Sequence, residues 1–423
     1  MSESSIRKSL QIYKGLVEVS GLINSITDYG ELLRAILDVA RRVFRAEAGT
    51  LFLVDAATGD LVLAIATRGE TGYVEPKLSV PRGRGIAGWV LEHGEPVVIP
   101  DAYQDERFFK DADRMTGFKT RSILCGPLKR GSELIGVLQI LNPREKESFE
   151  QEDLEGFCAY ANLIATAIEK LRAAERMRAQ DRMDRDLAIA AEIQRELLSR
   201  AIPARIEGAA FSAYNTPAAN VGGDFYAVFP GGDGTFYFAV GDVSGKGISA
   251  SLLMAQTLSA MRFIFASETS PSSALALLNE TLHASIIRGM FITTLIGKMD
   301  PVRRVVEMAS AGHCKPLVVR AGGEAARVEL PGAMPVGIRR GVAYASDELA
   351  LGSGDRLVIY TDGLSESRAE DSDVLFDDLL LDVAAGPSSS TAELLERIVA
   401  AELRHRGSGS QRDDLTVLVG GFE

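Results

Sequence analysis

Over residues 151–199 the chain contains no proline and a single glycine, Gly156. Those are the residues that most often break helices. The stretch can therefore form one nearly continuous helix, roughly 70 Å long at 1.5 Å per residue. It divides the sequence into three regions, 1–150, 151–199 and 200–423. Leu154, Phe157, Ala161, Ile164, Ile168 and Leu171 make a near-heptad stripe along it. The stripe dissolves into the charged, alanine-rich residues 172–186 and resumes with Met183, Leu187, Ala190, Ile193 and Leu197. Two readings fit: a solvated connector, or a coiled coil that pairs two copies of the chain and relays strain between domains.

The regions on either side have the composition of folded domains. With 423 residues the chain exceeds one ordinary domain, and 46% hydrophobic with 25% charged residues suits a soluble globular protein. A formal charge of −12 argues against general affinity for nucleic acid or anionic membrane. Cys125, Cys158 and Cys314 are scattered without metal-ligand spacing, as expected of reduced thiols. The N-terminus has no secretory h-region, and no apolar run reads as a membrane span, so a cytoplasmic protein is expected.

Residues 1–150 begin with two helical stretches. The second, 31–44, repeats Leu32, Leu33, Ile36, Leu37, Ala40, Val43 and Phe44 at helical spacing. Strand-like runs follow at 49–55 and 61–66, joined by the turn Ala57-Thr58-Gly59-Asp60, and then at 96–99, 122–127 and 134–142. This is an α+β pattern of helices and a mostly antiparallel sheet. Beyond residue 200, β runs at 236–240, 291–299, 305–309, 317–320, 357–360 and 415–419 surround two amphipathic helices, 249–265 and 272–287. Residues 386–391 read as a short loop. Strands before and after a helical pair suggest two sheets sandwiched between helices.

Four aspartate-glycine or aspartate pairs punctuate this last region: Val221-Gly222-Gly223-Asp224-Phe225-Tyr226, Gly241-Asp242-Val243-Ser244-Gly245-Lys246-Gly247, Thr361-Asp362-Gly363 and Asp413-Asp414-Leu415-Thr416. Singly, each reads as a turn, and Asp224 as a helix cap or a partner of Tyr226. Three of them border apolar strand-like runs, and carboxylates at strand ends can converge although far apart in sequence. Converging carboxylates repel unless a cation lies among them, and oxygen donors suit Mg²⁺ or Mn²⁺. The glycines around Asp242 let the backbone turn and make the Val243 carbonyl a further candidate ligand. Adjacent residues in a strand point opposite ways, so only one of Asp413 and Asp414 is expected to face the metal. A two-metal carboxylate site lowers the pKa of water and clamps a phosphoryl group. The chain offers no covalent phosphatase nucleophile, and Gly241–Gly247 lacks the spacing of a nucleotide-binding P-loop, so Lys246 does not indicate one.

These segments, with Phe291-Ile-Thr-Thr294, Ala311-Gly-His-Cys-Lys-Pro316 and Tyr360-Thr-Asp-Gly-Leu-Ser-Glu366, resemble the PPM family of metal-dependent serine/threonine phosphatases in its SpoIIE/RsbU branch. The resemblance spans about 185–423, with six motifs in family order. It implies an αββα sandwich holding two Mn²⁺ or Mg²⁺ ions. Asp242 would bridge both metals, the Val243 carbonyl, Asp362 and Asp413 would complete their shells, and Asp224, Gly223, Gly363 and Asp414 would support them. Where animal members carry a histidine thought to be the general acid, this chain has Ser244. His313 reads as a loop-stabilising residue, with an acid role the alternative. In this branch the substrate is usually a phosphorylated STAS-domain anti-sigma factor antagonist.

Residues 20–172 resemble a GAF domain through Gly83–Val90, Asp101–Phe109 and Thr116–Pro127. Asn142, Lys146, Phe149 and Asp153 approximate a motif of cyclic-nucleotide-binding members, with Leu154 where that motif has glutamate. A small-molecule ligand is possible there, its identity unknown, and Cys125 reads as a core residue. Ala191-Glu-Ile-Gln-Arg-Glu-Leu-Leu198 matches the family's signature ahead of the phosphatase core, where the helix governs metal-site formation. The expected protein is thus a homodimeric phosphatase switched by its GAF domain through residues 151–199. A non-catalytic signal-binding adaptor and an esterase of small phosphorylated metabolites are the competing readings.

Overall fold

The computed structural model describes residues 10–422 except 11–12, 16, 23–24, 27, 69–71, 75–77, 111–112, 114–117, 204–206, 232–233, 268–269, 287–288 and 371–372. The first expected helix and part of the Thr116–Pro127 motif therefore lie partly outside the described residues. Two compact units divide the chain, 1–181 and 182–423.

The first unit is built on a sheet of strands β1 (Ala46–Val54), β2 (Leu61–Arg68), β3 (Gly72–Val74), β4 (Ser79–Val80), β5 (Val97–Ile99), β6 (Ile123–Arg130) and β7 (Glu133–Pro143). Their order is β3-β2-β1-β7-β6-β5, with β4 paired to β2, and every pairing is antiparallel. The β1–β2 turn forms where it was expected. Asp55 accepts hydrogen bonds from the backbone of Ala57 and Thr58, and Gly59 takes a φ of 76°. Helix α1 (Tyr29–Val43) is capped by Asp28, whose carboxylate accepts from Glu31 N at 2.8 Å. Its apolar stripe Leu32, Leu33, Ile36, Leu37 and Ala40 is buried against Leu51, Leu138 and Ile140 of the sheet. Helix α2 (Gly85–His93) joins a second cluster, with Ile86, Val90 and Leu91 buried beside Leu61, Ile123 and Cys125.

Helix α3 runs unbroken from Asp153 to Ser199. The first part of its stripe, Phe157, Ala161, Ile164, Ile168 and Leu171, is buried in the same cluster as α1 and the sheet. That half of the repeat is therefore core of its own unit rather than a seam awaiting a second chain. Its near-heptad spacing is what any long helix with one buried face shows over a few turns. The charged middle is exposed, and Met183, Ile189, Ile193 and Leu197 remain exposed beyond it. Asn142, Lys146, Phe149 and Asp153 staple the sheet to the start of α3. Asn142, at φ 55°, accepts from Arg121 N at 2.7 Å and donates to Lys119 O at 2.9 Å. Lys146 pairs with Asp153, and buried Phe149 donates its N–H to Ser122 Oγ.

The second unit has two five-stranded sheets. One contains β9 (Phe225–Pro230), β10 (Phe236–Val243), β11 (Ile292–Asp300), β12 (Val305–Ala311) and β15 (Ser346–Ala350), in the order β15-β12-β11-β10-β9. The other contains β8 (Ala209–Thr216), β13 (Leu317–Val319), β14 (Ala325–Arg327), β16 (Arg356–Tyr360) and β17 (Leu415–Phe422), in the order β14-β13-β16-β17-β8. Alternation along β10 assigns the layers. Phe236, Phe238 and Val240 share a buried cluster with Leu357, Ile359 and Leu418 of the other sheet. Tyr237, Ala239 and Val243 point the other way, into a cluster with helices α4 (Ile248–Phe265) and α5 (Pro271–His283). On the far side, Val358, Tyr360, Val417 and Val419 pack with helices α7 (Asp377–Ala384) and α8 (Thr391–Arg406), which follow the single turn α6 (Asp362–Ser365). The result is an αββα sandwich. Its central strands are buried on both faces and so read as continuous apolar runs.

Helices α7 and α8 have no counterpart in the two-helix expectation for this region. The loop expected at 386–391 ends one residue early, because Ser390 caps α8 by accepting from Glu393 N. Helix α4 is the one described helix long and apolar enough to pass for a membrane span. Ala250, Leu253, Met254, Leu258, Met261 and Phe265 along it are buried in the sandwich, which accounts for its apolarity.

Buried Tyr160 donates its hydroxyl to Ile36 O at 2.8 Å, tying α3 to α1. Tyr160→Phe is expected to destabilise the first unit by about 1 kcal/mol. Urea denaturation checks this, and an unchanged midpoint contradicts the tie.

Candidate metal centre

Antiparallel pairing brings the aspartates to one end of the sandwich. Phe225 at the start of β9 pairs with Gly241 near the end of β10, so Asp224 and Asp242 are neighbours across the ladder. Asp242 continues the face of Phe238 and Val240, towards the second sheet. There, Tyr360 at the end of β16 pairs with Val417 of β17, which places Thr361 and Asp362 beside Asp413 and Asp414. Thr361 N donates to Thr416 O and Thr416 N to Thr361 Oγ1, both at 3.0 Å. Thr361 Oγ1 in turn donates to Asp224 Oδ2 at 2.7 Å, bridging the two sheets.

The charge arrangement is one of enforced proximity. Burial, followed by the charges of Asp362, Asp413 and Asp414, pushes the Asp242 carboxyl up to about 7. Burial and then Asp242 hold Asp224 well above the usual carboxylate range. Asp362 is raised by burial and by Asp413. Asp224 Oδ1 is enclosed without a hydrogen-bond partner. Among the described residues no three Asp, Glu, His or Cys side chains are gathered into a ready ligand shell. The aspartates act on one another by charge, and Asp224 also lies within hydrogen-bond reach of the Asp242 carboxyl. Mutually raised carboxylates and a buried, unpartnered carboxylate oxygen fit a divalent cation bound by oxygen donors.

The two adjacent aspartates, just ahead of β17, have different surroundings. Asp414 is buried and accepts from Ala218 N at 2.8 Å and Gly223 N at 2.7 Å. Asp413 is half exposed and pairs with Lys246 at 3.1 Å, while Lys246 also donates to Arg412 O at 2.6 Å. Lys246 thus ties the Asp242 loop to the Asp413 loop. Glycines make the approach possible. A Cβ on Gly223 would lie 2.7 Å from the Val243 carbonyl oxygen, and one on Gly363 would lie 1.8 Å from the Asp414 carbonyl oxygen.

Ser244, which stands where relatives carry the acid, and His313, the candidate acid, both have structural partners. Ser244 Oγ accepts from Phe291 N at 2.8 Å, and Ser244 N donates to Phe291 O, so Ser244 closes the β10–β11 corner. Burial pushes the His313 imidazole down to about 4, leaving it neutral at pH 7, within hydrogen-bond reach of Thr293 Oγ1.

Two glutamines join the site, Gln194 from within the Ala191–Leu198 signature and Gln411 without having stood out in the sequence. Gln194 of α3 donates to Gly222 O at 2.7 Å and accepts from Gly222 N at 3.1 Å, two residues before Asp224. Gln411 donates to Thr216 O and Asp413 O, each at 2.8 Å, and fixes the loop ahead of β17. A lone glutamine in a polar segment gives no periodic signal. Only the Ala191–Leu198 signature hinted at Gln194.

Two segments of the chain match known protein families. Residues 232–422 match the family model described as Stage II sporulation protein E (SpoIIE), and residues 28–168 match the GAF domain. The chain thus carries a segment matching the GAF domain followed by a segment matching the SpoIIE family. The SiaA-PP2C domain of Pseudomonas aeruginosa shares the fold, with a TM-score of 0.51 at 22% identity over 58% of this chain and 99% of that domain. The RsbU and RsbW domains of a Mycobacterium tuberculosis protein align at 29% identity over 52% of this chain and 62% of that one, with a TM-score of 0.45. The dual 3′,5′-cyclic-AMP and -GMP phosphodiesterase 11A of Takifugu rubripes is 41% identical over 116 residues, which are 27% of this chain. The match spans only 12% of that phosphodiesterase.

Two outcomes follow. Gly363→Ala forces the Asp414 carbonyl away and is expected to cost about 1–3 kcal/mol of stability in guanidinium titration. The folded pKa of His313 is depressed, so its contribution is present above the unfolded value of 6.5 and lost as pH falls towards 4. Wild type should therefore lose up to about 3 kcal/mol more than His313→Gln between those limits. Parallel stability curves for the two proteins would refute the assignment.

Proposed function

We propose that the chain hydrolyses phosphoserine or phosphothreonine on a protein partner, with residues 1–150 as a GAF sensor, 151–199 as a helical relay and 200–423 as the phosphatase. The observation that carries the reading is the set of mutually raised aspartates beside the unpartnered Asp224 oxygen at one end of an αββα sandwich. Asp242, the Val243 carbonyl, Asp362 and Asp413 would hold two Mn²⁺ or Mg²⁺ ions. Bound there, such ions lower the pKa of water and neutralise phosphoryl charge. The chain's own residues set the positions. Asp414 and Gly363 fix the loops of Asp224 and Asp362, and Thr361 orients Asp224.

The substrate fitting this branch is a phosphorylated STAS-domain anti-sigma factor antagonist in the cytoplasm. Control would run through α3, whose Gln194 grips the backbone just before Asp224. The exposed Ile189, Ile193 and Leu197, at helical spacing, supply an apolar strip for pairing with a second copy. Similarity to phosphodiesterases named for cyclic AMP and GMP makes a cyclic nucleotide a candidate for the GAF ligand. The residues Asn142, Lys146, Phe149 and Asp153 do not argue for it, since they staple strands to α3.

The test is phosphate release from a phosphorylated STAS protein by the full chain, with Mn²⁺ and with chelator. Wild type should require metal, Asp242→Asn should lose at least a hundredfold, on the order of one displaced electrostatic contact at the reacting centre, and Gln194→Ala should fall in between. Metal-independent release, or full activity in Asp242→Asn, overturns the mechanism.

A further inference from the structure

A polar cleft of about 230 Å³ opens beside Asp413 and runs from Gly363 and Glu366 to Arg406 and Gly409. Most charges along it are engaged. Arg406 donates to Glu402 at 2.8 Å, and Glu402 also accepts from Ser367 Oγ at 2.8 Å. Glu370 accepts from the backbone and hydroxyl of Ser408. Arg368 pairs with Asp373, which is almost fully exposed.

Arg412 differs. Its guanidinium has no partner among the described residues, while its backbone is held on both sides. Lys246 takes its carbonyl, and Gln411 before it bonds to Thr216 O and Asp413 O. The outcome is a pre-positioned backbone with a free, always-charged fork at the mouth of a cleft that begins at the candidate metal centre. Among the described residues it is the one cation of the cleft lining without an acidic partner, since Arg368 and Arg406 are paired. The cleft has room for a side chain or two next to a phosphorylated residue, rather than for a whole domain.

We propose that this cleft receives the substrate segment flanking the phosphorylated residue, and that Arg412 selects an acidic side chain there. The inference rests on the phosphatase reading above and deepens it by naming the substrate's local chemistry. A carboxylate meets Arg412 in a two-point fork. It also benefits from a cation in a region whose remaining free charge, Glu366, disfavours other anions and so confines the preference to the Arg412 end.

The experiment uses the full chain with Mn²⁺ and phosphoserine peptides identical except for aspartate, asparagine or lysine beside the phosphoserine. Wild type should prefer the aspartate peptide. Arg412→Ala should raise KM for that peptide about threefold to tenfold, the range of a partly exposed to a bidentate ion pair, and level it with the asparagine peptide. Arg412→Glu should move the preference to the lysine peptide, and Arg412→Lys should keep part of it. An equal loss on all three peptides and on p-nitrophenyl phosphate overturns the proposal in favour of contact with the phosphoryl group. Unchanged peptide preference in every variant overturns it outright. If wild type releases no phosphate from any substrate with metal, the phosphatase reading itself has failed, which is a separate result.

Discussion

The carboxylate of Asp414 fastens the functional end of the sandwich. It receives two backbone N–H groups, from Ala218 and Gly223, across nearly 200 residues of sequence. Its own carbonyl is so near Gly363 that no side chain fits between. One buried aspartate thereby fixes the loops that carry Asp224 and Asp362. A charged acceptor with backbone donors is among the stronger hydrogen-bonding arrangements, and burial makes losing it costly.

That arrangement shows what could be read from the sequence and what could not. The central strands were legible because both faces of β10, β16 and β17 are buried, giving apolar runs bordered at one end by aspartate. The same alternation said that only one of Asp413 and Asp414 could face inward to the candidate ligands. It could not say that Asp414 would turn to the backbone of Gly223, because that pairing depends on how two sheets stack. Helix α8 carries a readable amphipathic pattern, Leu394, Leu395 and Ile398 at helical spacing among Glu, Ala and Arg, whereas α7 is short and the residues that bury Leu380 lie on distant strands.

The long helix makes the same point differently. Its two apolar stripes look alike on paper, yet they have different environments. Phe157, Ile164 and Ile168 are core residues of the first unit, whereas Ile189 and Ile193 stay exposed. A stripe records that one face prefers to leave water, and the hydrophobic effect is indifferent to which surface covers it. Periodicity therefore predicted the helix well and its partners poorly.

Gln194 gives that helix a polar hold on the site. Its amide donates to and accepts from Gly222, matching both backbone groups of one residue. Apolar contacts tolerate sliding, but a paired amide-to-backbone contact is sensitive to rotation, because both bonds are lost together when the helix turns. The segment it holds leads directly to Gly223, Asp224 and β9. The carboxylates there already oppose one another, so their positions depend on external supports more than on mutual attraction. Under the proposed relay, Gly222 is therefore the point at which a turn of the helix would reach the Asp224 and Asp242 carboxylates.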